Sequence, residues 1–358
     1  MAWFFITLLT LTSAQPAATD VFQLQPAIPE QTELVPLQQA YQHSPSFENK
    51  LNLVNAYLQV ARRPGRSDYF HQAEALLAEH DLQTQQTPAL LLSQADILQQ
   101  QHHFSAALKR LDQLLQTAPQ HLQANLMAAR IQLAMGETEA AQRACNRLLR
   151  EALFFFATCS YEVTGRKGQW QQAYQGLTAL FKQNANLSPE LDIWVRGILA
   201  EQAEQLQDLH GAIAWLEPIL TQAPTSIWLK WADLQLAVAQ PQAVYQRLAE
   251  LAEQLPLEDS LLLRLAIAER ELGLAAHYVT QIDEQMQVRI LRQDQDHAAD
   301  LAHYFLRFTA NAEAALHWAE LNYQSAREPD DLALLLQSRV AVKQAQQAVQ
   351  PKQTGVSK

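Results

Sequence analysis

The side chains best suited to chemistry gather in RQDQDHAADLAHYF, residues 292–305. On a helix Asp296, Asp300 and His303 fall at i, i+4 and i+7, along one face. Two carboxylates and an imidazole so spaced could hold a hard or borderline cation. The simpler reading, adopted here, is an acidic first turn that suits the helix dipole, with a solvated histidine beyond it. His102 and His103 stand in a turn before Phe104 and are read as turn residues. No G-x-S-x-G, H-E-x-x-H, G-x-x-x-x-G-K-[ST] or G-x-G-x-x-G occurs in the chain. Its 9 glycines are too scattered for a phosphate loop. The expectation is a non-catalytic protein that needs neither cofactor nor metal. A metal or small-ligand site, or an enzyme, built on Asp296, Asp300 and His303 is the alternative.

The elements that would carry these residues are helices. Gly is rare, β-branched residues form no alternating runs, and Ala, Leu, Gln and Glu fill the 358 positions. A hydrophobic fraction of 48% is enough for a large core, and the length exceeds one compact domain. The reading is all-α. The net charge of −11 supplies no basic face for a phosphate backbone, so nucleic acid is a poor partner. Anionic lipid is disfavoured on the same ground. The one basic run, Arg62-Arg63-Pro64-Gly65-Arg66, is short and reads as a loop between helices. Aromatic residues at 154–156, with Trp194, Trp228 and Trp231, read as packing between helices; the alternative is apolar anchors for a bound segment.

The chain starts MAWFFITLLTLTSAQPA, an apolar run followed by small residues. Thr12 and Ala14 occupy the two positions that a signal peptidase requires to be small, so residues 1–14 read as a cleavable signal peptide. The run is too short to cross a bilayer, which takes about 20 apolar residues, so no stable membrane anchor is expected. A periplasmic or secreted location follows. Residues 15–47, rich in Gln and Pro, read as an extended leader, and that leader is a candidate occupant of any groove in the mature protein.

Beyond it the sequence repeats. Ala73, Ala107, Ala141, Ala173, Ala212, Ala243, Ala276 and Ala315 are spaced by 34, 34, 32, 39, 31, 33 and 39 residues. Leu77, Leu111, Leu177 and Leu216 follow four residues after their alanines, one turn along the same face. Ala61, Ala95, Ala129 and Ala200 precede theirs by twelve, small where one helix must cross another closely. A turn signal such as Met135-Gly136-Glu137 lies between the two alanine sets, so each unit is two short antiparallel helices. This pattern resembles the tetratricopeptide repeat, whose period is 34. The stretches NAYLQVARRPGRSDYFHQAEALLA and WAELNYQSAREPDDLALLLQ are similar to secreted bacterial proteins of that family.

The resemblance implies a right-handed α-solenoid of about eight stacked helix pairs over residues 48–330. Residues 331–347 would be a capping helix and 348–358 a flexible tail. It also implies a function: an interaction scaffold that takes a partner's peptide or helix in a concave groove lined by the first helix of each pair. The ninth position of those helices, which often points into the groove, is Arg62, Asp96, Arg130, Glu162 and Glu201 here. Their mixed signs do not suit a groove made for a peptide carboxylate. A structural multimer joined through the less regular last units is a further alternative.

The helix-pair reading bears on the only two cysteines, Cys145 and Cys159. Residue 152 lies seven from each, in the turn between two antiparallel helices, so the two side chains come side by side. A disulfide is expected, since exported compartments are oxidising. Two free cysteines packed as small apolar residues are the alternative.

Overall fold

The computed structural model describes residues 30–78, 86–184 and 186–349. The signal peptide, the first part of the leader and the final tail lie outside the described residues. Among the described residues there are eighteen α-helices and no strand.

Eight antiparallel pairs follow one another. They are α2 (Phe47–Val60) with α3 (Asp68–Leu77), α4 (Pro88–Gln100) with α5 (Phe104–Thr117), and α6 (Leu122–Ala134) with α7 (Thr138–Asn146). Next come α8 (Leu153–Arg166) with α9 (Trp170–Gln183), α10 (Pro189–Gln205) with α11 (Leu209–Leu216), and α12 (Thr225–Ala237) with α13 (Pro241–Gln254). The last two are α14 (Asp259–Glu271) with α15 (His277–Arg292) and α16 (Ala298–Tyr304) with α17 (Ala312–Ser325). A preceding helix, α1 (Glu30–His43), and a final one, α18 (Pro329–Val349), stand at the ends. The architecture is an α-solenoid.

Helix starts are written locally. Ser46, Thr87, Ser188, Asp208 and Asn311 each accept a hydrogen bond from the backbone N–H three residues on. The turn inside each pair needs one residue in the left-handed region: Gly65, His102, Gly136, Gly168, Gln207, Ala239, Gly273 and Ala310, in pair order. Only half of these are glycine, so the turn repeats more faithfully in the backbone than in the letters.

The alanine anchors are where helices touch. Ala73, Ala107, Ala141, Ala173, Ala212 and Ala315 are fully buried, as are Ala95 and Ala200 on the facing helices. In α13 the contact passes to Val244, with Ala243 only half-buried. Ala276 is exposed at the start of α15, and Ile282 and Met286 fill that core. The periodic alanine is therefore not the anchor of the seventh pair, because α15 begins one residue after it.

Residues 30–43, assigned above to an extended leader, form α1 instead. Pro36 lies inside this helix and removes a donor. The stripe Leu34, Leu37 and Tyr41, packed on the first pair, outweighs that cost. At the other end α18 buries Leu334, Leu335 and Ser338 against the eighth pair and leaves its outer side to solvent.

Cys145 on α7 and Cys159 on α8 form a disulfide, with Cα atoms 5.7 Å apart and both residues buried. It ties the third pair to the fourth across a short loop, a tether worth up to about 3 kcal/mol.

The solenoid curls until its first pair meets its later ones. The Thr225 N–H donates to the Arg62 carbonyl at 2.8 Å, and the Gly65 N–H donates to Glu258 Oε1 at 2.8 Å. Gly65 has φ +70°, and a Cβ there would lie 2.2 Å from Leu255 Cδ1 and 2.6 Å from the Pro256 carbonyl. Only glycine satisfies both the turn and this close approach. Gly65→Ala is expected to lower stability by about 2 kcal/mol or more and to open this seam. The measurement is a thermal melt with hydrogen exchange at Thr225, whose amide would lose protection; an unchanged amide would show that the seam does not depend on Gly65.

Candidate functional site

Curling frames a central, open-mouthed cavity of about 920 Å³. Its wall is the inner face of the first helices, and four of the five expected groove residues, Arg62, Arg130, Glu162 and Glu201, line it. They meet charges of neighbouring pairs. Arg62 Nη2 donates to Asp96 Oδ2 at 2.5 Å, behind the cavity wall. Arg130 Nη1 donates to Glu162 Oε1 at 2.5 Å. Glu201 accepts a two-pronged pair of bonds from Arg166, at 2.7 and 2.9 Å. Each bond crosses from one helix pair to the next.

The ladder continues through residues that sequence reasoning missed. Lys230 on α12 donates to Glu204 at 2.7 Å. Arg264 on α14 donates to both oxygens of Asp233, at 2.9 and 3.0 Å, and to Asp300 at 2.8 Å. Arg289 pairs with Asp259 at 2.5 Å and also with Asp294. A signal for these was present: opposite charges stand about one repeat apart, as in Arg166 and Glu201 or Arg264 and Asp300.

The middle of the groove is already occupied. The segment between α17 and α18 runs into the interior rather than around it. The Arg327 N–H donates to the Ala134 carbonyl at 2.7 Å. Glu328 takes Arg166 Nη2 at 2.9 Å, and Asp330 takes Lys230 Nζ at 2.6 Å. Asp331, fully buried, accepts from Asn322 at 2.6 Å and from the Glu328 N–H at 2.9 Å.

Burial sets the electrostatics. It would lower Arg166, but Glu201 and Glu328 hold the guanidinium firmly charged. Lys230 is held protonated in the same way by Asp330 and Glu204, and Arg264 by Asp233 and Asp300. Burial pushes Glu162 and Glu328 upward in spite of Arg130 and Arg166. Asp331 is pushed up to about 7 by burial and by the neighbouring Glu328.

The three candidate cation ligands all border the cavity without converging. Asp296 is exposed in a 3-10 turn that precedes α16, so it does not share a helix face with the other two. Asp300 is committed to Arg264. His303 is lowered to about 4 by burial and by the Arg264 charge. Among the described residues no three His, Cys, Asp or Glu side chains are grouped so as to hold a metal ion. His102 is lowered to about 3, chiefly by burial.

Residues 98–153 match the family model of the tetratricopeptide repeat. That segment covers the second pair's turn and second helix and the whole third pair. Within that segment the chain carries tetratricopeptide repeats, and such repeats serve in general as protein–protein interaction scaffolds. Among solved structures it is similar to a tetratricopeptide repeat protein from Parabacteroides merdae, at 14% identity and TM-score 0.43, covering 70% of this chain and 89% of that one. It is also similar to the APC/C hetero-tetramer Cut9–Hcn1, at 13% identity and TM-score 0.41, covering 87% and 67%. The human IFIT1 dimer with PPP-AAAA aligns at 14% identity and TM-score 0.42, covering 82% and 78%. No curated protein matches the chain. Among the described residues no helix is long and apolar enough to cross a membrane.

Removing one partner of a buried pair leaves the other charge stranded. Arg166→Ala, which abandons Glu201 and Glu328 together, is expected to cost about 3–5 kcal/mol. Arg247→Ala, which breaks the half-exposed pair with Glu217, should cost under about 1 kcal/mol. Urea unfolding of both variants checks the contrast; equal costs would remove the ladder's role in holding the stack.

Proposed function

We propose that this protein is a non-catalytic interaction scaffold of the bacterial cell envelope that receives an extended segment of a partner protein in its central cavity. The observation that carries this reading is the interior itself. The stacked helix pairs present charged inner side chains to one central space of about 920 Å³, within the usual size of ligand clefts. The ion-pair ladder fixes the wall, and the residues expected to contact a partner hold the scaffold as well. Export is supported by the apolar N-terminal run and by a disulfide, a bond that persists in oxidising compartments.

The exposed row Leu332, Leu336 and Val340 on α18 favours a second reading, self-association through the closing helix. Light scattering on the purified protein separates the two: the scaffold reading expects a monomer in the absence of partner.

The main test places a photo-crosslinking residue at position 71, where exposed His71 borders the cavity, or at position 149, where exposed Leu149 does not. The tagged chain is expressed in the bacterium that makes it and illuminated in the envelope fraction. A discrete adduct from position 71 and none from 149 is expected. Adducts from 149 alone, or from neither, would overturn the cavity reading.

A further inference from the structure

The interior is not electrically balanced. Of the side chains that line the cavity, twelve are Asp or Glu and six are Arg or Lys. The lining is acidic even without the closing helix, and Glu328 just before α18 and Asp330 in its first turn add two more carboxylates. Most of the inner carboxylates are answered by the ladder. Glu258 is different. Its Oε1 accepts the backbone N–H groups of Gly65 and Arg66, at 2.8 and 3.3 Å. Its Oε2 is buried and accepts nothing. At the same seam, where Thr225 meets Arg62, the hydroxyls of Thr225 and Ser226 are also buried without a partner, and Thr225 is only 7% exposed.

An unanswered buried polar atom costs about 1–3 kcal/mol, so three on residues that line the cavity are an expense that a ligand would remove. All three oxygens can accept, one carries charge, and the cavity that their residues border has twice as many acidic as basic side chains. A group with several donors, a positive charge and no need to accept fits that wall. A primary ammonium has three donors and no acceptor, and its charge can sit on a single point.

Resting on the scaffold reading above, we propose that the cavity recognises a basic extended segment, with a lysine ammonium seated on Glu258 Oε2 and the Thr225 and Ser226 hydroxyls. The flanking residues of the segment lie along the acidic interior. Exposed Asp68 and Asp296 on the rim steer it in, which makes association sensitive to salt.

The probe is an octapeptide of alternating lysine and serine, titrated calorimetrically into the full mature chain at low salt. Saturable binding of one peptide per chain is expected. An all-serine and a glutamate–serine octapeptide should show none. Glu258→Gln keeps an oxygen for the Gly65 N–H and removes the charge; it is expected to weaken the lysine peptide about tenfold or more. Thr225→Val keeps the shape and removes the hydroxyl, and should weaken it severalfold; it carries the test if Glu258→Gln does not fold. Equal binding of the lysine and all-serine peptides would overturn the proposal. So would unchanged affinity in a folded variant. Spermidine binding as tightly as the peptide would overturn the peptide as occupant in favour of a free polyamine. The outcomes also separate this proposal from the scaffold reading. A partner captured from position 71 with no lysine-peptide binding leaves the scaffold and removes the basic site. Lysine-peptide binding with no captured partner does the reverse.

Discussion

Arg166 is the joint on which the rest of the solenoid depends. It ends α8, reaches Glu201 on the next pair with two parallel bonds, and holds Glu328 from the far end of the chain. A guanidinium buried to this degree has to be answered by carboxylates, because an unpaired charge away from water is prohibitive. That requirement acts over distance in the sequence. It fixes the stacking of the fourth and fifth pairs and, through the same side chain, draws the segment before α18 into the groove. Lys230 repeats the arrangement one step on, between Glu204 and Asp330. A stack of helix pairs would be free to vary in curvature if only alanines and leucines met between them. Planar, directional pairs of this kind admit fewer geometries.

Closure then follows from two kinds of contact at once. The charged segment at residues 327–331 fills the middle of the interior. At the seam, backbone groups of the first pair's turn meet the loops around the sixth pair, with Gly65 allowing the approach. The disulfide lies elsewhere, between the third and fourth pairs, and secures the part of the stack nearest Arg166. Nearest-neighbour packing is the rule for repeat proteins. Here it is supplemented by contacts spanning 162 and 193 residues, from Arg166 to Glu328 and from Gly65 to Glu258.

Much of this was legible in the letters. The alanine period gave the helix pairs and their number, because an alanine is needed wherever two helices cross closely, and that need recurs in every unit. Equal spacing about residue 152 gave the disulfide. The period failed where the crossing changed, at Val244 and Ala276, since a different side chain or a shifted helix start meets the same packing need. α1 was hidden by Pro36, whose local cost is visible in the sequence while the compensating stripe of Leu34, Leu37 and Tyr41 acts only against α2. The five groove positions came from a family resemblance that gives each position a direction. It says nothing of which charge stands opposite, so their pairing with one another was out of reach. Nor does any local pattern mark residues 327–331 as an interior strut, because the partners that seat Arg327, Glu328 and Asp330 lie a hundred residues or more away.

The same long-range step decides the character of the interior. Read along the first helices alone, Arg62, Asp96, Arg130, Glu162 and Glu201 make a groove of no settled sign, and their mutual pairing cancels most of it. Glu328 and Asp330 enter from outside the periodic pattern and pair with Arg166 and Lys230, the cations that would otherwise face the middle of the cavity. Once those are taken, the buried atoms still unanswered on the wall include Glu258 Oε2 and the hydroxyls of Thr225 and Ser226, together with the Gln100 amide nitrogen and His102 Nδ1. A buried carboxylate oxygen without a donor favours a cationic partner. The segment that closes the solenoid thereby adds to an interior already richer in carboxylates than in cations.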